Sequence, residues 1–289
     1  MIILDYNGIA VSNIFVQHSN DILSEDLLRH MVLNSIKLYN SKFRGEYGQM
    51  YIACDHSSWR KEFYQYYKAN RKKGRDSSSM DWNSIFDWLG TIRRELDEYS
   101  PYKVIHMQGA EADDIIATLV ERTQEFGKGE PVMIISSDQD FLQLQKYSNV
   151  KQFSSIMKKP LTESDPHYYL FEHVVRGDSG DGVPNIFSDD DTFVNEEKRQ
   201  SPISKKKLEA LYKGYQAGKM VFDKVEHERN FHRNQRLIDL SKIPDEVKAK
   251  ILTAIAEKEQ KPKPNSNAFL NYLIKKRCTK HIESITEFF

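Results

Sequence analysis

Short apolar runs separated by helical patterns constrain the fold of this chain more than any other feature. Each run is apolar on both faces instead of alternating, which is typical of strands buried inside a parallel sheet. The strand-like runs cover residues 1–5, 49–54, 102–107, 132–137 and 150–153, and the helical patterns between them cover residues 27–39, 85–99 and 111–126. This alternation predicts an α/β fold, with a parallel central sheet flanked by helices.

The C-terminal part of the chain shows helical patterns and no further strand-like run. Examples are residues 205–215, 244–258 and 268–278, and the last of these follows a linker-like KPKPN segment. We therefore expect a catalytic α/β domain over residues 1–176 and a helical C-terminal domain over residues 177–289.

Two polar segments are expected to be mobile, because they contain few side chains to bury. Residues 68–80 are basic and rich in serine, and residues 188–202 contain three consecutive aspartates followed by a polar run.

Acidic residues stand at the ends of the strand-like runs. Asp5, Asp55 and Asp138 each lie at or just beyond the end of an apolar run. In an open parallel sheet the carboxyl ends of the strands meet at one edge, where ligands bind. The candidate metal ligands at this edge are Asp5, Asp55, Glu111, Asp113, Asp114, Asp138, Asp140, Asp178 and Asp181.

Carboxylates gathered in this way repel one another unless cations lie between them. Hard ions such as Mg²⁺ bind oxygen ligands and keep waters that a substrate phosphate displaces. Taken singly, each aspartate is an ordinary turn or helix cap, but capping does not explain an acid at the end of every strand. The set therefore predicts a metal centre. The sequence has no histidine or cysteine cluster for zinc, no GxSxG and no Walker motif, which argues against those chemistries.

Six motifs occur in the order found in the 5′-nucleases, the family of flap endonucleases and of the 5′-exonuclease domain of bacterial polymerase I. EADD alone is a weak signal, whereas EADD, SSDxDF and GDxxDxVPN in succession are specific. The chain resembles this family over most of its length, with the T4-like phage ribonucleases H as its nearest branch, which the stretch NQRLIDLSKIPD also resembles. The motifs are LDYNG (4–8), CD (54–55), WRKEFYQYYKANR (59–71), EADDIIATL (111–119), SSDQDFLQL (136–144) and GDSGDGVPNI (177–186).

This resemblance implies a PIN-like fold with a basic helical arch at about residues 59–82. It also implies a helix–three-turn–helix, which GDSGDGVPNI begins and a helix at residues 204–212 continues. The stretch between those two parts is long and acidic, unlike the compact glycine turn of cellular relatives. This departure puts the geometry of duplex binding in question, but not the cleavage chemistry.

The activity that the resemblance implies is removal of 5′-terminal nucleotides and 5′ flaps, by hydrolysis with two Mg²⁺ ions or with Mn²⁺ in their place. The substrates would be DNA and RNA–DNA hybrids with 5′ ends or flaps, including RNA primers and adjacent DNA in lagging-strand replication. The inner metal site would comprise Asp5, Asp55, Glu111, Asp113 and Asp138, and the outer site Asp140, Asp178 and Asp181.

A basic segment with interleaved aromatic residues follows Asp55. Between residues 59 and 75, seven basic residues stand against one acid, Glu62. Cations that track phosphates, mixed with rings on which bases stack, favour single-strand binding; the alternative is a solvated helix and loop. The resemblance implies catalytic roles for Lys68 and Arg71 at the scissile phosphate, beside Asp113. The candidate nucleic-acid-binding residues are Arg60, Tyr67, Lys68, Arg71, Lys72, Lys73, Arg75, Lys205, Lys206 and Lys207.

The last eight residues, IESITEFF, are similar to a motif that binds replication sliding clamps. Ile285, Phe288 and Phe289 fit that pattern, whereas Ile282 stands where glutamine is usual. The alternative is a terminal helix that packs on its own domain. A sliding clamp and a single-stranded DNA-binding protein are therefore the protein partners expected of a monomeric enzyme.

Two other functions compete with this interpretation. A non-catalytic binder of branched nucleic acid would have no need of the complete carboxylate set. A dehalogenase-like phosphatase requires a second aspartate two residues after Asp5, where this chain has Asn7.

Charge balance and cysteine usage restrict the setting of the protein. The 42 basic and 42 acidic residues argue against simple polycation binding. Two distant cysteines fit a reducing compartment, and no apolar run reaches the roughly 18 residues needed to cross a bilayer. We expect a cytoplasmic protein, in the host cell if a phage encodes it.

Overall fold

A mostly parallel sheet forms the centre of the fold. The computed structural model describes residues 1–17, 23–262 and 264–289. The strands are β1 (Ile2–Asp5), β2 (Met50–Cys54), β3 (Lys103–His106), β4 (Val132–Ile135), β5 (Val150–Ser154) and β6 (Lys159–Leu161). Their order in the sheet is β3-β2-β1-β4-β5-β6, parallel except for β6, which pairs antiparallel with β5. The α/β class with a parallel sheet is confirmed, and β6 is an addition that the apolar pattern did not predict.

Helices connect the strands and make up most of the remaining chain. Those that accompany the sheet are α1 (Tyr6–Gln17), α2 (Glu25–Tyr47), α5 (Trp82–Tyr99), α6 (Ala112–Gln124), α10 (Asp245–Gln260), α11 (Ser266–Lys275) and α12 (Thr279–Ile282). The others are α3 (Arg60–Phe63), α4 (Asn70–Asp76), α7 (Pro166–Arg176), α8 (Lys205–Gln216) and α9 (Val225–Ile238). Short 3-10 helices cover Gln139–Lys146, Leu240–Lys242 and Ile285–Phe288.

The chain divides into two compact units that interleave along the sequence. The sheet unit contains Met1–Ser57, Asp81–Thr162 and Asp245–Phe289, and the helical unit contains Ser58–Met80 and Glu163–Pro244. This division differs from the expected one after residue 176. The reason is packing: α10 lies against α6 and β3 of the sheet unit, whereas the rings of residues 64 and 67 belong to the core of the helical unit.

A buried ion-pair network joins the C-terminal helix α11 to the interior of the sheet unit. Arg29 on α2 is 1% exposed and donates from Nε to Glu95 on α5 at 2.8 Å. The hydroxyl of Tyr272 on α11 donates to the same carboxylate at 3.0 Å, and Lys276 pairs with it at 2.5 Å. Burial of a carboxylate raises its pKa, but these donors outweigh burial, so the pKa of Glu95 lies below its ordinary value.

The helical unit has its own core, formed by rings and aliphatic side chains from α7, α8, α9 and residues 64–67. The buried members include Tyr64, Phe171, Val175, Leu208 and Phe231. Hydrogen bonds and ion pairs fold the acidic stretch at residues 188–202, which was expected to be mobile, onto this unit. Within the described residues, no helix is long and apolar enough to cross a membrane.

Candidate metal centre and phosphate-binding residues

Asp5 is the buried centre of a group of carboxylates in the sheet unit. It ends β1, which lies between β2 and β4, and it is 7% exposed. Its Oδ1 accepts the N–H of Gly8 at 2.9 Å, and its Oδ2 accepts the hydroxyl of Ser136 at 2.8 Å. A Cβ atom at Gly8 would lie 2.3 Å from Asp5 Oδ2, so only glycine fits at the start of α1.

Negative charges act on Asp5 from two neighbouring strands. Burial and the charge of Asp55 raise the pKa of Asp5 to about 7; the charge of Asp138 adds to this rise, and the hydrogen bonds from Gly8 and Ser136 oppose it. The acids predicted at three strand ends are therefore close enough to interact in the folded chain.

The end of β2 is joined to the start of α6 through Asp55. Its Oδ1 accepts the N–H of Ala112 at 2.7 Å, and the backbone of His56 donates to Ala110 at 3.1 Å. An aspartate that accepts an N–H from the first turn of a helix is stabilised by the helix dipole. Asp55 is thereby oriented toward the EADD segment, with which it was predicted to act.

Within EADD, the three acids occupy different environments. Glu111 is buried and Asp113 is half-buried. Asp114 is fully buried, and its Oδ2 accepts the N–H of Glu111 at 2.9 Å. The expectation that Asp114 is a metal ligand does not fit this contact, because its carboxylate points into the protein and caps α6. Asp114 instead orients Glu111.

Asp138 caps the 3-10 helix that follows β4. Its Oδ1 accepts the N–H of Asp140 at 3.0 Å, and its own N–H donates to Ser136 at 3.1 Å. Ser136 therefore links Asp5 to the backbone of Asp138. Neither Ser136 nor Gly8 was predicted as a site residue, although they belong to the SSDQDFLQL and LDYNG motifs.

Asp178 and Asp181 lie in the helical unit, on the loop after α7. Asp178 accepts the N–H of Asp181 at 3.1 Å and lies 3.6 Å from Nε2 of His173, a residue that sequence analysis missed. Burial raises the pKa of Asp178, but the hydrogen bonds from His173 and the Asp181 backbone outweigh it, so the net shift is downward. Gly177 is required here, because it has φ +71° and a Cβ would lie 2.3 Å from the carbonyl oxygen of Val183.

Asp181 is tied to the YKANR segment. Its Oδ2 accepts the hydroxyl of Tyr67 at 2.8 Å and lies 3.5 Å from Nζ of Lys68, and its Oδ1 pairs with Arg71. The carbonyl oxygen of Asp181 also accepts the backbone N–H of Lys68 at 2.7 Å.

Further contacts fix the YKANR segment on the same loop. Asn70 Nδ2 donates to the carbonyl oxygen of Ser179 at 2.7 Å, and Arg71 Nε donates to that of Gly180 at 3.1 Å. Lys68 adopts φ 56°, a left-handed conformation that non-glycine residues rarely adopt. Lys68 and Arg71 are thus held together in a strained, heavily hydrogen-bonded turn, as functional residues often are.

Two residues expected to contact nucleic acid are instead buried in the helical unit. Arg60 is 2% exposed, donates to the carbonyl oxygen of Leu237 at 2.9 Å and stacks on Trp59. Tyr67 is 3% exposed and uses its hydroxyl on Asp181. Their burial does not fit the predicted contact roles, because the guanidinium and the ring are both covered by the protein. Both residues instead support the segment that carries Lys68.

The remaining basic candidates lie on two helices. Lys72 and Lys73 on α4 are exposed and Arg75 is half-buried. At the start of α8, Lys205 and Lys206 are exposed. Lys207 is engaged within the protein, since its ammonium lies 3.2 Å from Asp223 and 3.7 Å from the ring centre of Phe187.

The C-terminal tail packs on the sheet unit. Phe288 is 1% exposed, and its ring lies against those of Phe269 and His281. Its carbonyl oxygen accepts the hydroxyl of Tyr102 at 3.0 Å. Phe288 therefore does not fit the expectation of a clamp-binding side chain, because its ring is part of the core. Ile285 is half-buried and Phe289 is 41% exposed.

Comparisons with known proteins identify two matching family models. The model described as "5′-3′ exonuclease, N-terminal resolvase-like domain" matches residues 15–171, and the model described as "T4 RNase H, C terminal" matches residues 164–288. Ribonuclease H of enterobacteria phage T4 is 31% identical over 99% of this chain and 95% of its own length. Flap endonuclease Xni of Shewanella piezotolerans is 33% identical over 45% of this chain and 49% of its own length.

Solved structures with a similar fold come from bacteriophage T5. A complex of its flap endonuclease with DNA and metal ions superposes with a TM-score of 0.66, at 15% identity, over 90% of this chain and 99% of that one. A T5 5′-exonuclease structure with bound zinc ions gives a TM-score of 0.63, at 16% identity, over 89% and 98% of the two chains. At this level of identity the likeness establishes the fold.

Proposed function

The chain belongs to the 5′-3′ exonuclease family, and from this premise we propose that it is a divalent-metal-dependent nuclease that hydrolyses phosphodiester bonds at 5′ ends and 5′ flaps. The observation that carries the proposal is geometric: the paired strands β2, β1 and β4 end beside Asp55, Asp5 and Asp138, and Ser136 forms hydrogen bonds with both Asp5 and the backbone of Asp138. The substrates we propose are DNA and RNA–DNA hybrids, including RNA primers in lagging-strand replication.

The donor set suits hard divalent ions. The buried carboxylate of Asp5 feels two further negative charges, and a cation would remove that repulsion. The ligands are carboxylate oxygens, which Mg²⁺ and Mn²⁺ prefer. We assign an inner ion to Asp5, Asp55, Glu111, Asp113 and Asp138 of the sheet unit. Asp140, Asp178 and Asp181 are proposed as ligands of a second ion on the strength of their motifs. When bound, these ions supply a Lewis acid that activates water and polarises the scissile phosphate.

The protein contributes positioning and charge. Lys68 and Arg71 sit one turn apart in a segment held by backbone hydrogen bonds, so their cations need little ordering when a phosphate arrives. A guanidinium and an ammonium near the scissile phosphate stabilise the negative charge that develops in the transition state. Attack of water on phosphorus, with cleavage of the P–O3′ bond, leaves a 3′-hydroxyl on one product and a 5′-phosphate on the other.

A direct test uses a 5′-labelled flap and a nicked RNA–DNA duplex, each incubated with Mg²⁺ or with EDTA. We expect cleavage with Mg²⁺ alone, and loss of cleavage with retained binding in Asp113→Asn. The matched control is Asp87→Asn, an exposed acid on α5, which should cleave as the wild type does. Cleavage that survives EDTA would refute the metal-dependent mechanism, and binding without any cleavage would favour the non-catalytic alternative.

We propose a sliding clamp as a second partner, with the contact made by Ile285 and the exposed ring of Phe289. Phe289→Ala should abolish clamp stimulation of cleavage while basal cleavage is retained. Clamp stimulation that persists in this variant would refute the proposal that the C-terminal tail contacts the clamp. A single-stranded DNA-binding protein is proposed on the resemblance alone.

A further inference from the structure

A groove in the helical unit separates α4 from residues 192–200. The wall formed by α4 presents Lys72, Lys73 and Asp76. The opposite wall comes from the acidic stretch that departs from the compact turn of cellular relatives, and it presents Phe193, Glu196 and Arg199. None of these side chains has a role in the proposed metal centre.

The second wall is firmly built. The N–H of Asn185 donates to the side chain of Gln200 at 2.8 Å, and the amide of Asn185 donates to Ser201 at 2.7 Å. The ammonium of Lys198 lies 2.9 Å from Asp189 and 2.7 Å from Asp191. The three consecutive aspartates therefore have a structural use, which is to hold this wall in place and neutralise its inner lysine.

Asp190 anchors the same stretch to α9. Its carboxylate pairs with the buried guanidinium of Arg233, and its carbonyl oxygen accepts the hydroxyl of Tyr64 at 2.6 Å. A wall fixed at both ends keeps its side chains in a constant position relative to α4.

Two cations of the groove keep their charge available for a ligand. Lys72 is exposed and forms no ion pair in the part of the chain that the structure describes. Arg199 is exposed, and its Nη1 donates to the carbonyl oxygens of Glu196 and Lys198, which orients the guanidinium without using a carboxylate. Lys73 pairs with Glu196 across the groove, but both side chains are about four-fifths exposed. Salt screens such a pair, so a phosphate can replace the carboxylate.

Apolar side chains also line the groove. Phe193 is half-buried, and Val194 beside it is 44% exposed. A phosphate backbone needs only cations, whereas unpaired bases also need an apolar or aromatic surface on which to stack. A duplex keeps its bases paired and offers none to such a ring.

We propose that this groove binds single-stranded polynucleotide, with phosphates at Lys72 and Arg199 and a base against Phe193. The proposal rests on the proposed function, since the occupant is the 5′ single strand of the substrate. Charge complementarity and an aromatic ring in the lining of the same groove are the features that select this occupant.

The first experiment measures binding by fluorescence anisotropy in EDTA, which prevents cleavage. One ligand is a duplex with a 5′ flap of about twelve nucleotides, and the other is the same nicked duplex without a flap. The variant Lys72→Ala/Arg199→Ala should lose about tenfold in affinity for the flap ligand and less than about twofold for the nick. Its salt dependence for the flap should fall by about 1.4 in slope, because roughly 0.7 is lost for each single-strand phosphate contact. The control is Lys250→Ala/Lys280→Ala, two exposed lysines of the sheet unit.

The second experiment tests stacking directly. A flap carrying 2-aminopurine should be quenched on binding the wild type, and Phe193→Leu should abolish the quenching while the circular dichroism spectrum stays unchanged. Equal loss of affinity for flap and nick, or quenching that survives in Phe193→Leu, would overturn the groove proposal. Cleavage assays separate the two proposals. If the wild type cleaves flaps but the groove variants bind the flap ligand as the control does, only the groove proposal is refuted. A wild type that cleaves neither ligand with Mg²⁺ refutes the nuclease, and the binding data still judge the groove.

Discussion

At the scale of single residues, Asp181 serves two purposes that compete for the same carboxylate. It is a proposed metal ligand, and it also accepts the hydroxyl of Tyr67 and pairs with Arg71. A metal bound at Asp181 would draw negative charge away from Lys68 and Arg71, and a substrate phosphate would replace it. If Asp181 binds an ion as proposed, the charges of this turn would be coupled to the charge of that ion through one side chain.

Tyr67→Phe tests this coupling, because it removes a single hydroxyl and keeps the buried ring. We expect the free energy of unfolding to fall by about 1 kcal/mol, the typical net value of one hydrogen bond. Cleavage should slow by about tenfold in kcat with KM little changed, since Asp181 loses a donor that orients it. The control is Tyr66→Phe in the same segment, and an equal loss in both variants would contradict the argument.

Two glycines make a matched pair for the packing around Asp5. Gly8→Ala would place a Cβ 2.3 Å from Asp5 Oδ2, whereas a Cβ at Gly45 on α2 would have no described neighbour within 4 Å apart from the adjoining backbone of its own helix. We expect Gly8→Ala to reduce cleavage by more than about a hundredfold, because the carboxylate must move. Gly45→Ala should instead stabilise the protein by about 0.5–1 kcal/mol through helix propensity. Activity assays and urea unfolding of both variants check the pair, and full activity in Gly8→Ala would refute the packing argument.

The sequence predicted which acids stand at the strand ends but not how each carboxylate is used. Asp113 and Asp114 are adjacent, yet burial and one hydrogen bond to Glu111 make Asp114 a cap. Arg60 and Tyr67 are also buried, which the basic and aromatic pattern around them did not predict. These outcomes depend on tertiary packing, which a run of basic and aromatic letters does not contain.

At the scale of elements, the C-terminal tail is a short apolar segment that packs on its own compact unit. His281 on α12 lies against His30 on α2, with ring centres 4.6 Å apart, and its Nε2–H donates to the carbonyl oxygen of His30 at 3.3 Å. Burial, and then the charge of His30, lower the pKa of His281 to about 4. The neutral imidazole is thus the form that fits the docked tail.

The tail should loosen in acid. Because the folded pKa of His281 lies below the unfolded value of about 6.5, its contribution to stability is complete above that pH and is lost as pH falls toward 4. Full protonation would cost on the order of 3 kcal/mol. The free energies of unfolding of the wild type and of His281→Gln should be measured between pH 7.5 and about 4.5. The difference between the two proteins should become smaller as the pH falls. Parallel curves would exclude His281 as the titrating group.

The strongest helices and strands were predictable because their patterns are local. β1 to β5 and helices such as α5 and α8 lie where the apolar spacing placed them. β6 was not predicted, because Lys159–Leu161 is mostly exposed and has no apolar pattern of its own; it forms a strand by pairing with β5. The order of residues 188–202 was not predicted either, because it depends on an ion pair within the stretch, between Lys198 and Asp191, and on one with Arg233, which is distant in sequence.

At the scale of the whole molecule, each compact unit draws on separated stretches of the chain. Residues 245–289 complete the sheet unit, although more than 80 residues of the helical unit precede them. Sequence analysis placed the boundary at residue 176 because helical patterns follow it, and such patterns do not reveal the element on which a helix packs. Apolar spacing defines a face to be buried, whereas the partner of that face is a property of the fold.

Metal binding should be visible in the stability of the whole protein. Without a cation, the buried charge of Asp5 is held near those of Asp55 and Asp138, which opposes folding. An ion that binds only the native state stabilises it, by about 2.7 kcal/mol at a hundred times its dissociation constant. We therefore expect Mg²⁺ to raise the melting temperature of the wild type in a concentration-dependent way.

Asp5→Asn should melt at a higher temperature than the wild type in EDTA, because the repulsion is relieved, and Mg²⁺ should raise its melting temperature less. Asp87→Asn serves as the control for a general effect of removing an acid. A wild type that Mg²⁺ does not stabilise, or an Asp5→Asn protein that melts lower in EDTA, would show that these carboxylates are not held together against their own repulsion.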